Sequence, residues 1–476
     1  MAKKKKKQKT TQFPNLGSVI GKFFSANFKY FIAAIFIYFA AKSLYFIFTI
    51  PLGVAPDEVE HFELVKFYQS NINFWEPFKD IPLPYGRTAT NNGFIYHLLM
   101  GKLSLLNFFI SDLVFLRTVN LVMAILNVFV FYKLCSLFTN KKIVKLWLMV
   151  FYTNILMFTF ISSAVNYDNL VNLISVSSIY FFIRYTIDRL SIDLICTLLF
   201  ISLGIAVKTG YWPLAIVLVG ILVLDFLISR YSLKNLLLDF YINFKSRNYL
   251  FYIVGILTIL FVIFDVIFVS GKFKKYGNYD ASCEQLYSLE SCRANDDGYI
   301  IYENLSDKFE EKKSKNVEIT KSLHSLPEFS VEWYGYIIDR VFGIFGHRQI
   351  EPSTNTVSFI NSLFLVAIFA SIFNYKYLDK KKFYIFFIAI AFTLLILVRV
   401  NYQSYLNYGL VHAGLQGRYL FPVLSCLVLW LGISISGDTK SSLAKFIIVI
   451  LCLGLIISEF PMYLQSTQRN DFEAPK

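Results

Sequence analysis

The sequence predicts an all-α polytopic membrane protein of about eleven transmembrane helices, on three observations. Hydrophobic residues make up 56% of the 476-residue chain and charged ones only 16%, with a mean hydropathy of +0.54. A water-soluble domain carries about 25% charged residues, so this chain lacks the polar surface that water would require. Its apolar residues fall in runs of roughly 20, the length a helix needs to cross the hydrocarbon core. Basic residues gather in alternate connections between those runs, the pattern of repeated membrane crossing.

Taken in order, the apolar runs place spans at 28–50, 113–138, 143–163, 169–186, 191–207, 211–229, 249–270, 356–374, 383–400, 418–436 and 446–465. Before the first lie Lys3 to Lys7 and Lys9, and no small-residue cleavage site follows the apolar stretch. Residues 1–27 therefore read as a basic cytoplasmic anchor, not a cleaved leader or a nucleic-acid arm. Lys141, Lys142 and Lys145, Arg184 and Arg189, Arg230, Lys234, Lys245 and Arg247, Lys376 and Lys380 to Lys382, and Lys440 and Lys445 mark the cytoplasmic connections. The connections Ser162 to Asp168 and Asn401 to Gly417 hold no Lys or Arg, so they belong on the far side. The net charge of +14 is thus mainly a topology signal, and it favours contact with anionic membrane lipids.

This orientation leaves two large extracytoplasmic loops, from Pro51 to Ser111 and from Gly271 to Pro352. The organisation expected is a transmembrane module over 28–270 with its external loop at 51–111, an extracytoplasmic loop subdomain at 271–355, further transmembrane helices over 356–465 and an external tail at 466–476. Cys283 and Cys292 are the only cysteines outside the apolar spans. On an oxidising face they suit a disulfide, with two free thiols as the alternative. Lys42, Arg117 and Lys133 fall inside expected spans, where helix tilt can carry a charge to an interface.

One stretch stands out chemically. Pro56-Asp57-Glu58-Val59-Glu60-His61 puts four ionisable side chains directly after the first span. Pro51 and Pro56 end one helix and permit another to start, with acidic residues favoured in its first turn. On that helix Asp57, Glu60 and His61 share a face and Glu58 points elsewhere. A carboxylate against an apolar wall becomes a better base, while a second carboxylate and an imidazole hold a hydroxyl or a divalent cation such as Mg or Mn. The metal set would be Asp57, Glu60 and His61. Spacing alone fits a solvated juxtamembrane helix equally well. No P-loop, zinc-ligand spacing, Gly-x-Ser-x-Gly elbow or dinucleotide glycine pattern occurs, nor any evident internal repeat.

Asp57-Glu58-Val59-Glu60-His61-Phe62 resembles the Asp-Glu-x-x-His-Phe signature of a bacterial membrane family of unknown function. It is also similar to the Asp-Glu motif of protein O-mannosyltransferases and of aminoarabinose transferases acting on lipid A, members of the GT-C superfamily. Asn91 to Leu98, which includes His97, stands where GT-C members carry a Pro-Pro-Leu-Tyr-Tyr-like stretch, but the prolines are missing. Gln416 to Pro422 resembles the Arg-Tyr-x-x-Pro stretch that opens a late span in the unknown-function family. There Arg418 suits bidentate phosphate binding, or snorkelling to headgroups. Asp168 lies in the second external loop, where GT-C members keep an acidic residue, and it also suits a helix cap. Lys208 opens a turn that resembles the Lys-Gly turn of aminoarabinose transferases; an interfacial lysine would look the same. Arg87, His97, His347 and Arg348 are weaker candidates.

The resemblance implies a GT-C-like glycosyltransferase of the plasma membrane with an extracytoplasmic active site. It would move a sugar, with inversion, from a polyprenyl-phosphate donor to a glycan, lipid-linked or protein acceptor. Asp57 would be the general base with Glu58 beside it, Glu60, His61 and Asp168 would assist with acceptor or metal, and Lys208 and Arg418 would bind the donor phosphate. Nucleotide sugars are cytoplasmic, so a lipid carrier fits a site facing outward. Two alternatives stay open. A polymerase or ligase of lipid-linked oligosaccharides would share this topology, and a transporter or flippase would show charges deep inside spans and broken helices.

Overall fold

The computed structural model describes residues 23–71, 85–91, 93–228, 233–246, 249–278, 280–295, 301, 303–309, 311, 324–345, 349–350, 354–373, 379–412, 414–436, 452–456, 460 and 464. Among the described residues the regular structure is helical, apart from a two-residue antiparallel pairing of Ile344–Phe345 with Gln349–Ile350. Seven helices among the described residues are long and apolar enough to cross a membrane: Phe28–Thr49, Asp112–Phe138, Asp168–Asp188, Thr209–Ile228, Tyr249–Tyr276, Lys380–Tyr408 and Gly417–Ser434. Ser191–Val207 is a shorter apolar helix. The expected span at 446–465 lies mostly outside the described residues.

Helix α1 (Phe28–Thr49) ends at Ile50-Pro51, and a tight turn leads into α2 (Glu58–Ser70). The loop then carries α3 (Tyr85–Asn91) and α4 (Ile95–Ser104), the latter packed on α2. Gly101 permits that packing, since a Cβ there would lie 2.8 Å from the Val65 carbonyl oxygen. The long α5 (Asp112–Phe138) follows, its first turn capped by the Ser111 hydroxyl, which accepts from the Val114 amide.

The run expected as one span over 143–163 is broken into α6 (Lys142–Thr153) and α7 (Leu156–Ile161). Thr153 and Asn154 cause the break: their side chains bond back to the Met149 and Val150 carbonyls, competing with the helical ladder. The Thr153 carbonyl so freed is taken by the buried Lys42, which donates to it at 2.8 Å and to Asn154 Oδ1 at 2.9 Å. An interruption at membrane depth survives only where protein replaces the lost bonds. Lys42 is therefore a staple, not the interfacial lysine that tilt suggested.

Helix α8 (Asp168–Asp188) packs between α5 and α9 (Ser191–Val207), and α9 packs on α12 (Tyr249–Tyr276) beyond α10 (Trp212–Ile228) and α11 (Leu233–Lys245). Several polar side chains inside this bundle pair with one another: Tyr152 donates to Asn127 at 2.7 Å and Tyr96 to Asn120 at 3.1 Å. After α12, a disulfide joins Cys283 of α13 (Cys283–Leu286) to Cys292 of α14 (Leu289–Asn295). Helix α15 (Leu326–Phe342) precedes α16 (Thr354–Phe373), then α17 (Lys380–Leu395), which continues through a π-helical turn at Ile396–Tyr402 into α18 (Gln403–Tyr408). A 3₁₀ turn at Gly417–Val423 opens α19 (Leu424–Ser436), which packs on α16 and α17.

The two ends of the bundle differ. At one end Asp225 of α10 is held by Arg189, by Tyr384 and by Lys380, the last at 2.5 Å. Lys142 and Lys381 bond the Ser25 and Leu137 carbonyls near the same end. The other end gathers the C-termini of α1, α7 and α9 and the starts of α5, α8 and the Gly417 turn.

Candidate active site

The end of the bundle opposite Asp225 brings Asp57, Asp168, Lys208 and Arg418 together from four distant parts of the chain. Arg418 Nη2 donates to Asp57 Oδ2, and Nη1 faces Asp168 Oδ2 at 3.5 Å without a hydrogen bond. Lys208 Nζ donates to Asp168 Oδ1 at 2.5 Å and lies 4.3 Å from the centre of the Tyr167 ring. Two acids and two cations thus alternate in one cluster. Arg418 is only 3% exposed in its side chain, whereas the Asp57 side chain is 39% exposed.

Each member is placed by its own element. Asp57 sits just before α2 with φ of 57° and ψ of 12°, in the left-handed region, and its carbonyl accepts from the His61 amide at 3.0 Å. Asp adopts that conformation more readily than most residues, but still at a cost, and such strain concentrates at functional sites. Asp168 opens α8; the Asn166 side chain accepts from its amide at 2.8 Å and donates to the Pro56 carbonyl at 3.0 Å. Lys208 ends α9 in extended conformation. Arg418 follows Gly417, whose hypothetical Cβ would lie 2.1 Å from the Arg340 carbonyl oxygen, so only glycine lets this turn lie against α15. Gln416 accepts from Arg418 Nε at 2.5 Å and helps aim the guanidinium.

Burial raises the Asp57 carboxyl, but the Arg418 guanidinium, with His61 and Lys208 behind it, outweighs burial and holds the group well below the usual carboxylate range. Burial lowers Lys208, and the Asp168 carboxylate partly offsets this. The cluster is therefore a fixed set of charges in a water-poor place, where electrostatic forces are strong.

Glu58, expected to act beside Asp57, instead turns into the bundle. It is fully buried and held by Arg117 through Nε at 2.8 Å and Nη2 at 2.6 Å. Arg117 also donates to the Ile47 and Ile50 carbonyls at 3.0 and 2.7 Å, closing the end of α1. Glu58 Oε1 accepts from the Val165 amide at 2.9 Å. One buried pair thus ties the Asp57 turn, the end of α1 and the Asp168 loop together. Arg117 was the residue that sequence reasoning missed. Its signal was a lone charge inside an apolar run, which tilt explained too easily.

Glu60 accepts from Thr88 at 2.6 Å. His61 pairs with His97, Nδ1 to Nε2 at 3.0 Å, and meets the Tyr167 ring edge-on at 4.2 Å. Burial pushes His61 down to about 3, against the pull of Asp57, and holds His97 well below its usual value. Of the three side chains expected around a divalent cation, Asp57 bonds to Arg418, Glu60 to Thr88 and His61 to His97. No group of three such ligands occurs among the described residues. Arg87 lies on α3, and His347 and Arg348 lie outside the described residues.

Residues 109–427 match the family described as "Predicted membrane protein (DUF2142)". The chain belongs to this family. The DUF2142 match includes Arg117, Asp168, Lys208 and Arg418 and begins after the Asp57 turn. Membership agrees with the apolar helices in making this a multi-pass membrane protein. No curated protein matches the chain.

Proposed function

We propose that the chain is a GT-C-like glycosyltransferase that moves a sugar from a polyprenyl-phosphate donor to an acceptor hydroxyl on the extracytoplasmic face of the plasma membrane. The observation that carries this reading is the meeting of a partly exposed Asp57 with the buried cation Arg418, beside Lys208 and Asp168. Asp57 takes the proton of the acceptor hydroxyl, and that oxygen forms a bond to the anomeric carbon. The bond from that carbon to the phosphate oxygen breaks, and its electron pair leaves with the phosphate. Arg418 and Lys208 stabilise the charge that develops there. Attack from the face opposite the phosphate inverts the sugar.

Topology supports the same reading. With eleven spans and a cytoplasmic N-terminus, the Asp57 end faces outward and the basic Asp225 end inward. The Cys283 to Cys292 disulfide also suits the outer side. For the donor's chain, an apolar cleft of about 550 Å³ is lined by Tyr334 of α15, Phe364 and Ile368 of α16, Thr393 of α17, and Trp430 of α19. Helix α15 also abuts the Gly417 turn, which places the cleft and Arg418 on one common support.

The test is transfer by purified protein from a defined polyprenyl-phosphate sugar. Asp57→Asn is expected to lower the rate by roughly 100-fold or more, the scale of a lost general base. Unchanged transfer would remove Asp57 from that role. Addition of single sugars separates this reading from a polymerase or ligase, which would extend chains.

The break between α6 and α7 favours a second reading, a lipid or solute transporter. At that break Lys42 and Asn154 already serve the freed groups, which is why transfer is preferred. Movement of substrate across proteoliposomes without covalent product would reverse the preference.

A further inference from the structure

Arg418 and Asp57 are unequally placed. The guanidinium is buried and the carboxylate that meets it is partly exposed. Among the described residues Asp57 is the one anion hydrogen-bonded to Arg418, and a buried cation that loses such a partner is destabilised, so Asp57 leaves Arg418 most readily when another anion takes its position. Arg418 offers that anion a second edge as well: Nη1 is buried and makes no hydrogen bond among the described residues. Asp168 fills this role only in part: its Oδ1 is committed to Lys208, and its Oδ2 makes a looser ion pair with Nη1 at 3.5 Å, without a hydrogen bond.

We infer that Asp57 is a placeholder on Arg418, exchanged for the phosphate of the lipid donor when the donor binds. The exchange rests on the reading of this site as a polyprenyl-phosphate site. It gives the reaction an order. Without donor, Asp57 is engaged by Arg418 and is a poor base. With donor, Arg418 turns to the phosphate and the carboxylate is released beside the anomeric carbon, where its proton affinity rises toward the ordinary carboxylate range. Donor then precedes acceptor, and the base is silent until there is a sugar to move.

Neutralising any carboxylate beside the site eases the approach of a phosphate; neutralising a placeholder raises donor affinity through Arg418, so the gain vanishes when Arg418 is removed. The experiment measures binding of geranylgeranyl monophosphate to the full chain in phosphatidylcholine nanodiscs, with geranylgeraniol as the phosphate-free control. Asp57→Asn is expected to bind the monophosphate about tenfold more tightly than wild type or better, a gain of about 1.4 kcal/mol. Arg418→Gln should bind it about tenfold more weakly, and adding Asp57→Asn to Arg418→Gln should change nothing further. Asn accepts the left-handed backbone at position 57. If Asp57→Asn proves poorly folded, Asp57→Ser is measured instead, with the rise in melting temperature on adding the monophosphate as the readout; the rise should exceed that of wild type. Equal or weaker binding by Asp57→Asn, with Arg418→Gln still impaired, would overturn the exchange and leave the phosphate site standing. Failure of all forms to prefer the monophosphate over the alcohol would overturn the site itself.

Discussion

Glu58 shows how far one residue's role depends on what faces it. Beside Asp57 in sequence, it is separated from it in chemistry, because Arg117 draws it inward while Arg418 holds Asp57 at the surface. Removing one partner of a buried pair leaves the other charge uncompensated, at about 3–5 kcal/mol. Arg117→Met should accordingly lower stability by about that amount in a denaturant titration in detergent, and Glu58→Met added to it should recover part of the loss. The histidine pair yields a prediction in pH. His61 has its proton affinity depressed in the folded state, so between about 6.5 and about 3 the unfolded chain binds a proton that the native one refuses. Stability is then full above pH 6.5 and falls as pH falls through that window, with His97 adding in the same direction. His61→Phe should flatten the melting temperature against pH between 6.5 and 4.

At the scale of elements, backbone approach decides what the side chains can do. The Gly417 turn lies against the Arg340 carbonyl, and a methyl group at Gly417 would have to move one or the other. Gly417→Ala should thus displace Arg418, lowering both the melting temperature and the binding of geranylgeranyl monophosphate. Gly432→Ala, whose methyl would meet the buried Leu148 side chain and the Trp147 ring and no backbone, should lower stability without that loss of binding. The α6–α7 break is the element that patterning concealed. Hydropathy averages over a window, and Thr153 and Asn154 barely dent it, yet their bonds back to the preceding turn interrupt the ladder. By contrast α1, α5, α8 and α12 were legible, because an uninterrupted apolar run has few alternatives to a spanning helix.

For the whole molecule, sequence conveyed the helical class and singled out Asp57, Asp168, Lys208 and Arg418 one by one, but not which charges pair. Pairing is a property of helix ends meeting across hundreds of residues, such as Asp57 with Arg418, and no local spacing encodes it. The opposed ends of the bundle make a topological prediction. Phe109, 94% exposed near the start of α5, lies toward the Asp57 end, and the exposed Asn140 lies after the other end of that helix. A membrane-impermeant maleimide applied to intact cells should label Phe109→Cys, and should label Asn140→Cys only after permeabilisation. The reverse pattern would turn the charge cluster toward the cytoplasm and remove the argument for a lipid-borne donor.

The left-handed backbone at Asp57 bears on how this position drifts among relatives. Asn and Gly enter that conformation with little penalty, whereas Glu does so rarely. Substitution within the present turn therefore leads first to a neutral residue and not to the longer acid. A relative carrying Glu here would need a rebuilt turn from Gly53 to Pro56, and that turn, more than the retained charge, would mark the divergence.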